Sequence, residues 1–147
     1  MGKIKKLDEL QLLKRGNVFK HGMFCLIGLL LINTLLYSQG IEWASGKWAE
    51  LTIILFTIVL CSIEFVLYDI YPLTENKQKH LIHFLGLFGL VALIACIYDL
   101  TIGNTGVIVD GKITESALGV IYGLMFISVF VVYKLKKQYN AKHEYDE

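Results

Sequence analysis

The sequence is poor in the residues that build soluble domains. Of its 147 residues only one is proline and 18% are charged, where a soluble domain carries about a quarter charged residues. Disorder requires much charge and little apolar content, and the chain is 55% hydrophobic with a mean hydropathy of +0.57. The formal net charge of +1 gives no electrostatic footprint for nucleic acid. Cysteine is scarce and odd in number: Cys25, Cys61 and Cys96 fall in separate apolar stretches, which excludes a disulfide framework and suits small buried hydrophobes. No nucleophile–base pair or metal-hydrolase motif is present, so the sequence reads as a non-enzyme without a cofactor. No polar segment is long enough for a separate nucleotide- or DNA-binding domain.

What the chain does have is four apolar blocks: Gly22–Ile41, Leu51–Tyr71, Leu81–Tyr98 and Ser116–Tyr133. Each is apolar all round, the pattern of a lipid-crossing helix rather than an amphipathic surface helix. The expected fold is an all-α membrane protein, a bundle of four transmembrane helices over about 18–40, 48–71, 80–100 and 115–134, forming a single domain. A leader (1–17) and a tail (135–147) flank it. Lys and Arg number twelve in residues 1–21, the 72–80 loop and residues 134–147, against Lys47 and Lys112 on the opposite side. The positive-inside rule then places both termini in the cytoplasm. Trp43, Trp48, Tyr37 and Tyr98 at one set of block ends, and Tyr68, Tyr71 and Tyr133 at the other, suit headgroup depth. Pro72 helps stop the second helix.

Outside the spans, Ile4, Leu7, Leu10 and Leu13 recur every three residues before Gly16-Asn17. This predicts a short interfacial helix ending at that pair, its lysines toward anionic lipid. A frayed leader is the plain alternative. Cleavage as a signal peptide is disfavoured by Tyr37-Ser38-Gln39, and Lys6 spoils the myristoylation match of Met1-Gly2. Asp110-Gly111 between β-branched runs predicts a two-residue hairpin. The paired Gly46-Lys47 and Gly111-Lys112, each followed 21 residues after its Lys by a Tyr, raise the alternative of a duplicated helical hairpin.

Among candidate functional residues, Glu64 stands out. It lies seven residues before Tyr71, about 10 Å into its span, where a carboxylate faces the bundle interior and needs a partner. Lys20, His21, Asp69 and His83 lie at similar depth, so the sequence predicts a polar cluster of Lys20, His21, Glu64, Asp69 and His83. It reads either as a protonatable or ligand-sensing pocket or as an ion pair that fixes helix register. His80-x-x-His83 has metal-compatible spacing, but no further motif supports a metal site. Asn33, mid-span, should hydrogen-bond a neighbouring helix, and the small residues Gly86, Gly89, Gly119 and Gly123 mark helix–helix packing faces, within the bundle or in a homo-oligomer.

The runs Arg15-Gly16-Asn17-Val18-Phe19-Lys20-His21, Ile41-Glu42-Trp43-Ala44-Ser45-Gly46, Cys61-Ser62-Ile63-Glu64 and Tyr68-Asp69-Ile70-Tyr71-Pro72 carry a resemblance. Over residues 8–75 the chain resembles small, uncharacterised four-helix membrane proteins of low-GC Gram-positive bacteria, a family without an established activity. The resemblance implies a bacterial cytoplasmic membrane and, because some members look to be encoded beside small helix-turn-helix regulators, a regulatory partner. It supplies no catalytic residues. The reading is therefore a multi-pass sensor or accessory subunit, embedded in a lipid bilayer and partnered by a cytoplasmic regulator or another membrane subunit. The alternative is a small oligomeric ion- or proton-coupled transporter or channel that uses Glu64.

Overall fold

The computed structural model describes residues 9–70, 75–103 and 106–143. The elements run α1 (Glu9–Ser38), α2 (Trp48–Leu67), α3 (Glu75–Ile102), β1 (Ile108–Val109), β2 (Lys112–Ile113) and α4 (Glu115–His143). All four helices are long and apolar enough to cross a membrane. They pack in the spatial order α1–α2–α4–α3, and the α3–α4 interface is the most extensive. Hence α1 and α3 take the outer positions of a row. Large side chains on both stand exposed, among them Phe24, Ile27 and Leu31 on α1 and Leu87, Val91 and Ile94 on α3. Apolar surface of that extent calls for lipid or another apolar partner.

The bounds differ from the sequence reading at several ends. Helix α1 passes without interruption through Gly16 and Asn17, so the interfacial helix expected to end there is, over its described part, the first turns of the span itself. An interior glycine costs about 1 kcal/mol. Packing two residues later overrides it: Val18 is 1% exposed and sits in a cluster with Phe65 and Ile70. The remainder of that expected helix, residues 1–8, lies outside the described residues. Helix α4 runs well past 134, to His143.

Helix α2 stops early, at Leu67, before Pro72 is reached. The stop is built by Asp69, which adopts a left-handed φ of 54°. Ile70 N–H then reaches back to the Phe65 carbonyl at 3.1 Å and Asp69 N–H to the Val66 carbonyl at 3.3 Å. That is the Schellman arrangement, with the accompanying apolar contact between Ile70 and Phe65. Helix α1 ends the same way: Gly40, at φ 76°, lets Ile41 N–H reach the Leu36 carbonyl at 3.0 Å.

The α3–α4 seam is made by glycine. A Cβ on Gly89 would stand 2.9 Å from the Gly123 carbonyl oxygen and 3.2 Å from the Ile127 nitrogen, and one on Gly123 would meet the Gly89 carbonyl oxygen at 2.9 Å. Backbone meets backbone there, the close approach that small residues permit. Gly86 lies against the Phe130 ring, and Gly119 receives the Cys96 sulfur. Across α1–α2 the same device uses Gly22, which receives Cys61.

At the opposite end from the helix-α2 stop, the expected hairpin forms. Ile108 pairs with Ile113 and Val109 with Lys112, and Asp110 and Gly111 have φ of 49° and 77°, as a two-residue type I′ turn requires. Its second strand docks on the α1–α2 loop, Ile113 N–H donating to the Trp43 carbonyl at 2.9 Å. Ala44, Ala49 and Leu118 form a buried core beneath, ringed by Trp43, Trp48, Ile113 and Tyr122. Gly46-Lys47 leads directly into α2, whereas Gly111-Lys112 runs from the hairpin turn into β2, so these pairs are not structural equivalents and carry no duplication.

Replacing Gly89 with Ala puts a methyl group into backbone, which costs about 1–3 kcal/mol. At Gly28 a Cβ meets nothing within 4 Å. Thermal unfolding in one detergent should therefore show Gly89→Ala clearly destabilised and Gly28→Ala unchanged or stabilised. Equal shifts would show that the Gly89–Gly123 contact does not hold α3 to α4.

Candidate functional site

Of the five residues expected to cluster, four divide among three interfaces and Lys20 stands apart. On the α1–α2 face, His21 Nδ1 lies 3.5 Å from Glu64 Oε2, the pair being ionic only when the imidazole is protonated. The same carboxylate oxygen is buried and accepts no hydrogen bond among the described residues. Glu64 sits one turn from the end of α2, with Cys61 and Phe65 beside it against Val18 of α1. Packing of α1 through Gly22 brings His21 into reach of Glu64. Lys20, one position earlier and about 100° around the helix, is exposed on another face.

Asp69 meets a residue that sequence reasoning passed over: its Oδ2 lies 3.4 Å from Lys136 Nζ of α4. Asp69 is therefore not a member of the Glu64 site. It terminates α2 and faces α4.

His83 is removed further still. Its Nδ1 lies 2.6 Å from the Lys79 carbonyl, and its ring packs edge-on to Phe130 and Tyr133 of α4 at 5.4 and 6.1 Å. The row order explains the separation, because α4 stands between α3 and α2. His80 is exposed, and among the described residues no three His, Cys, Asp or Glu side chains gather as metal ligands.

Asn33 also departs from expectation. It accepts a hydrogen bond from Trp43 Nε1 at 2.8 Å, a tie to the loop after its own helix rather than to another helix. The inter-helix polar contacts lie elsewhere: Thr52 Oγ1 with Tyr122 hydroxyl at 2.7 Å, Trp48 Nε1 donating to Glu115 Oε1 at 2.9 Å, and Ser116 donating to Asp99. Apart from the tryptophans, read as interface anchors, the sequence marked none of these residues for a polar contact, since hydroxyl and indole groups are common near span ends. Gly22 was discernible only as a lone glycine in an apolar block. Other span hydroxyls return to their own helix, as Thr57 does to the Ile53 carbonyl at 2.9 Å and Ser62 to the Ile58 carbonyl at 2.8 Å.

No family model, curated protein or solved structure matches the chain. Function must be argued from the geometry.

The chemistry available at the α1–α2 site is a single carboxylate held in a half-buried position beside an imidazole, 33% of the Glu64 side chain remaining accessible. It can hold a proton or pair with a cation, and it orients α1 on α2.

The helix-stopping role of Asp69 separates from any chemical role by substitution. A left-handed conformation costs a residue with a Cβ about 1–2 kcal/mol. Asp69→Gly should match or exceed the wild type in thermal unfolding, the exposed ion pair being worth less than about 1 kcal/mol. Asp69→Ala should fall roughly 1 kcal/mol below Asp69→Gly. Equal losses would assign the residue to the pair with Lys136 instead.

Proposed function

We propose that the chain is a multi-pass protein of the bacterial cytoplasmic membrane, without catalysis of its own, that acts as a sensor or accessory subunit. Its partner is a soluble regulator or a second membrane protein. One observation carries the reading. Helix α4 is 29 residues long, about 43 Å at 1.5 Å per residue, against a hydrocarbon thickness of about 30 Å. The excess lies at its basic end, with Lys134, Lys136, Lys137 and Lys142. Helix α1, with Lys14 and Arg15, begins at the same end, as the cation–π contact of Lys14 on Tyr68 places it near the α2 stop.

The basic ends of α1 and α4, on either side of the α2 stop, offer positive charge to an acidic surface. The positive-inside count puts that platform in the cytoplasm, and the resemblance to small Gram-positive membrane proteins agrees with a regulator as its occupant. The outer helices α1 and α3 leave room for a further membrane subunit, including a second copy.

Cross-linking from native membranes, followed by purification, should recover one partner in stoichiometric amount. Reversing the exposed Lys137 and Lys142 to Glu should abolish recovery while membrane levels of the chain stay unchanged. Recovery of the chain alone from the wild type would overturn the proposal.

A second reading, proton- or ion-coupled transport, is favoured by the Glu64 oxygen that is buried without a hydrogen bond. Four helices in a row enclose no path unaided, so this reading requires a homo-oligomer. In proteoliposomes it predicts flux that Glu64→Gln abolishes at unchanged thermal stability. Absence of flux from the wild type would reject it.

A further inference from the structure

The end of the molecule opposite the basic platform holds a cleft of about 300 Å³ between the end of α1 and the start of α2. That is the lower limit of small-molecule sites. Its floor is made of Ala44, Gly46 and Ala49, two methyl groups and a hydrogen. Nothing lies within 4 Å of the position a Gly46 Cβ would take, so the space is open because the sequence places no side chain in it. Tyr37 and Trp43 supply aromatic surface, and Glu42 and Glu50 two carboxylates.

The aromatic wall is fixed. Trp43 is held by its indole N–H on Asn33 and by its carbonyl on Ile113 N–H. Indole nitrogen only donates, so Asn33 presents its oxygen to Trp43 and keeps both amide hydrogens, at a position that also lines the cleft. No Lys, Arg or His lines it. Glu42 is paired with Lys112 through one oxygen. Glu50 is exposed in the first turn of α2, where it complements the helix dipole, and its carboxylate has no partner among the described residues.

From this arrangement we infer that the cleft binds a compact organic ammonium ion of the amino-alcohol class. Aromatic faces with adjacent carboxylates are the surroundings that alkylammonium groups prefer, through cation–π attraction and charge pairing. The ammonium group sits against the Tyr37 and Trp43 rings and pairs with Glu50 and the open side of Glu42. The ligand's oxygen accepts from the Asn33 amide. The cleft volume of about 300 Å³ limits the ligand to a small molecule. Such a group reaches a membrane-surface cleft either as a free solute or as a phospholipid headgroup.

The test is calorimetric titration of choline into the full chain, in nanodiscs made only of phosphatidylglycerol. Saturable binding is expected, with an affinity loss of about tenfold in Glu50→Gln and in Tyr37→Ala, and no binding of the uncharged carbon isostere of choline. Both substituted residues are exposed, and thermal unfolding of each variant verifies an intact fold. Repeating the titration in phosphatidylethanolamine nanodiscs identifies the source. Weakened choline binding there means that the headgroup amine occupies the cleft, and unchanged binding means a free cation does; either result supports the site. No saturable binding in the wild type, equal binding of the isostere, or full affinity in both variants would overturn it. None of these outcomes depends on the partner at the basic end.

Discussion

Hydrocarbon offers no hydrogen bonds and no hydrophobic reward for bringing helices together. The first fact forces each span to satisfy its own backbone, so four apolar blocks become four helices. The second means that association must come from close packing and a few polar ties. The chain meets this demand at two kinds of place. Within each sequential pair, a glycine lets the neighbouring helix approach: Gly22 beneath Cys61 for α1–α2, and Gly89 against Gly123 for α3–α4. Between the pairs, contact runs through α2 and α4. Polar side chains supply much of its specificity.

Those inter-pair ties gather at the hairpin end. Trp48 to Glu115, Thr52 to Tyr122, Lys112 to Glu42 and Ile113 to the Trp43 carbonyl all link the first pair, or its loop, to the second. Each indole or phenol contributes an apolar body to the core around Leu118 and a polar tip to a hydrogen bond, the combination that suits headgroup depth. At the opposite end Asp69 meets Lys136, both partly exposed, a contact of small energetic weight. The hairpin end thus defines how the pairs are joined, and it is there that a cleft can keep its shape around a ligand.

Glu64 shows how a membrane polarises the interpretation of a single residue. A carboxylate within a span needs a partner, and that need is met by one imidazole at 3.5 Å without a hydrogen bond to the buried oxygen. A register lock would gain from a closer, fully bonded pair. A proton site gains from one that can be made and broken. The geometry lies between these extremes, which is why stability and flux in the same variant discriminate better than either alone.

Hydropathy made the spans legible because lipid imposes a length and a composition on every crossing helix. Asp110-Gly111 made the hairpin legible because few residue pairs adopt two consecutive positive φ angles. The candidate cluster was only partly legible, for a geometric reason. Depth along a span follows from counting residues, and His21, Glu64, Asp69 and His83 do occupy one end. Azimuth does not follow, because an apolar-all-round helix has no stripe to declare which side faces which neighbour. Different helix orders share the same depths, and the order α1–α2–α4–α3 sends His83 to Phe130 and Asp69 to Lys136. Asp69 carries the further lesson that an acid at the end of a span can be there for its backbone. Its left-handed φ ends α2 at Leu67 and turns Ile70 into the core, a role that charge and hydropathy do not record.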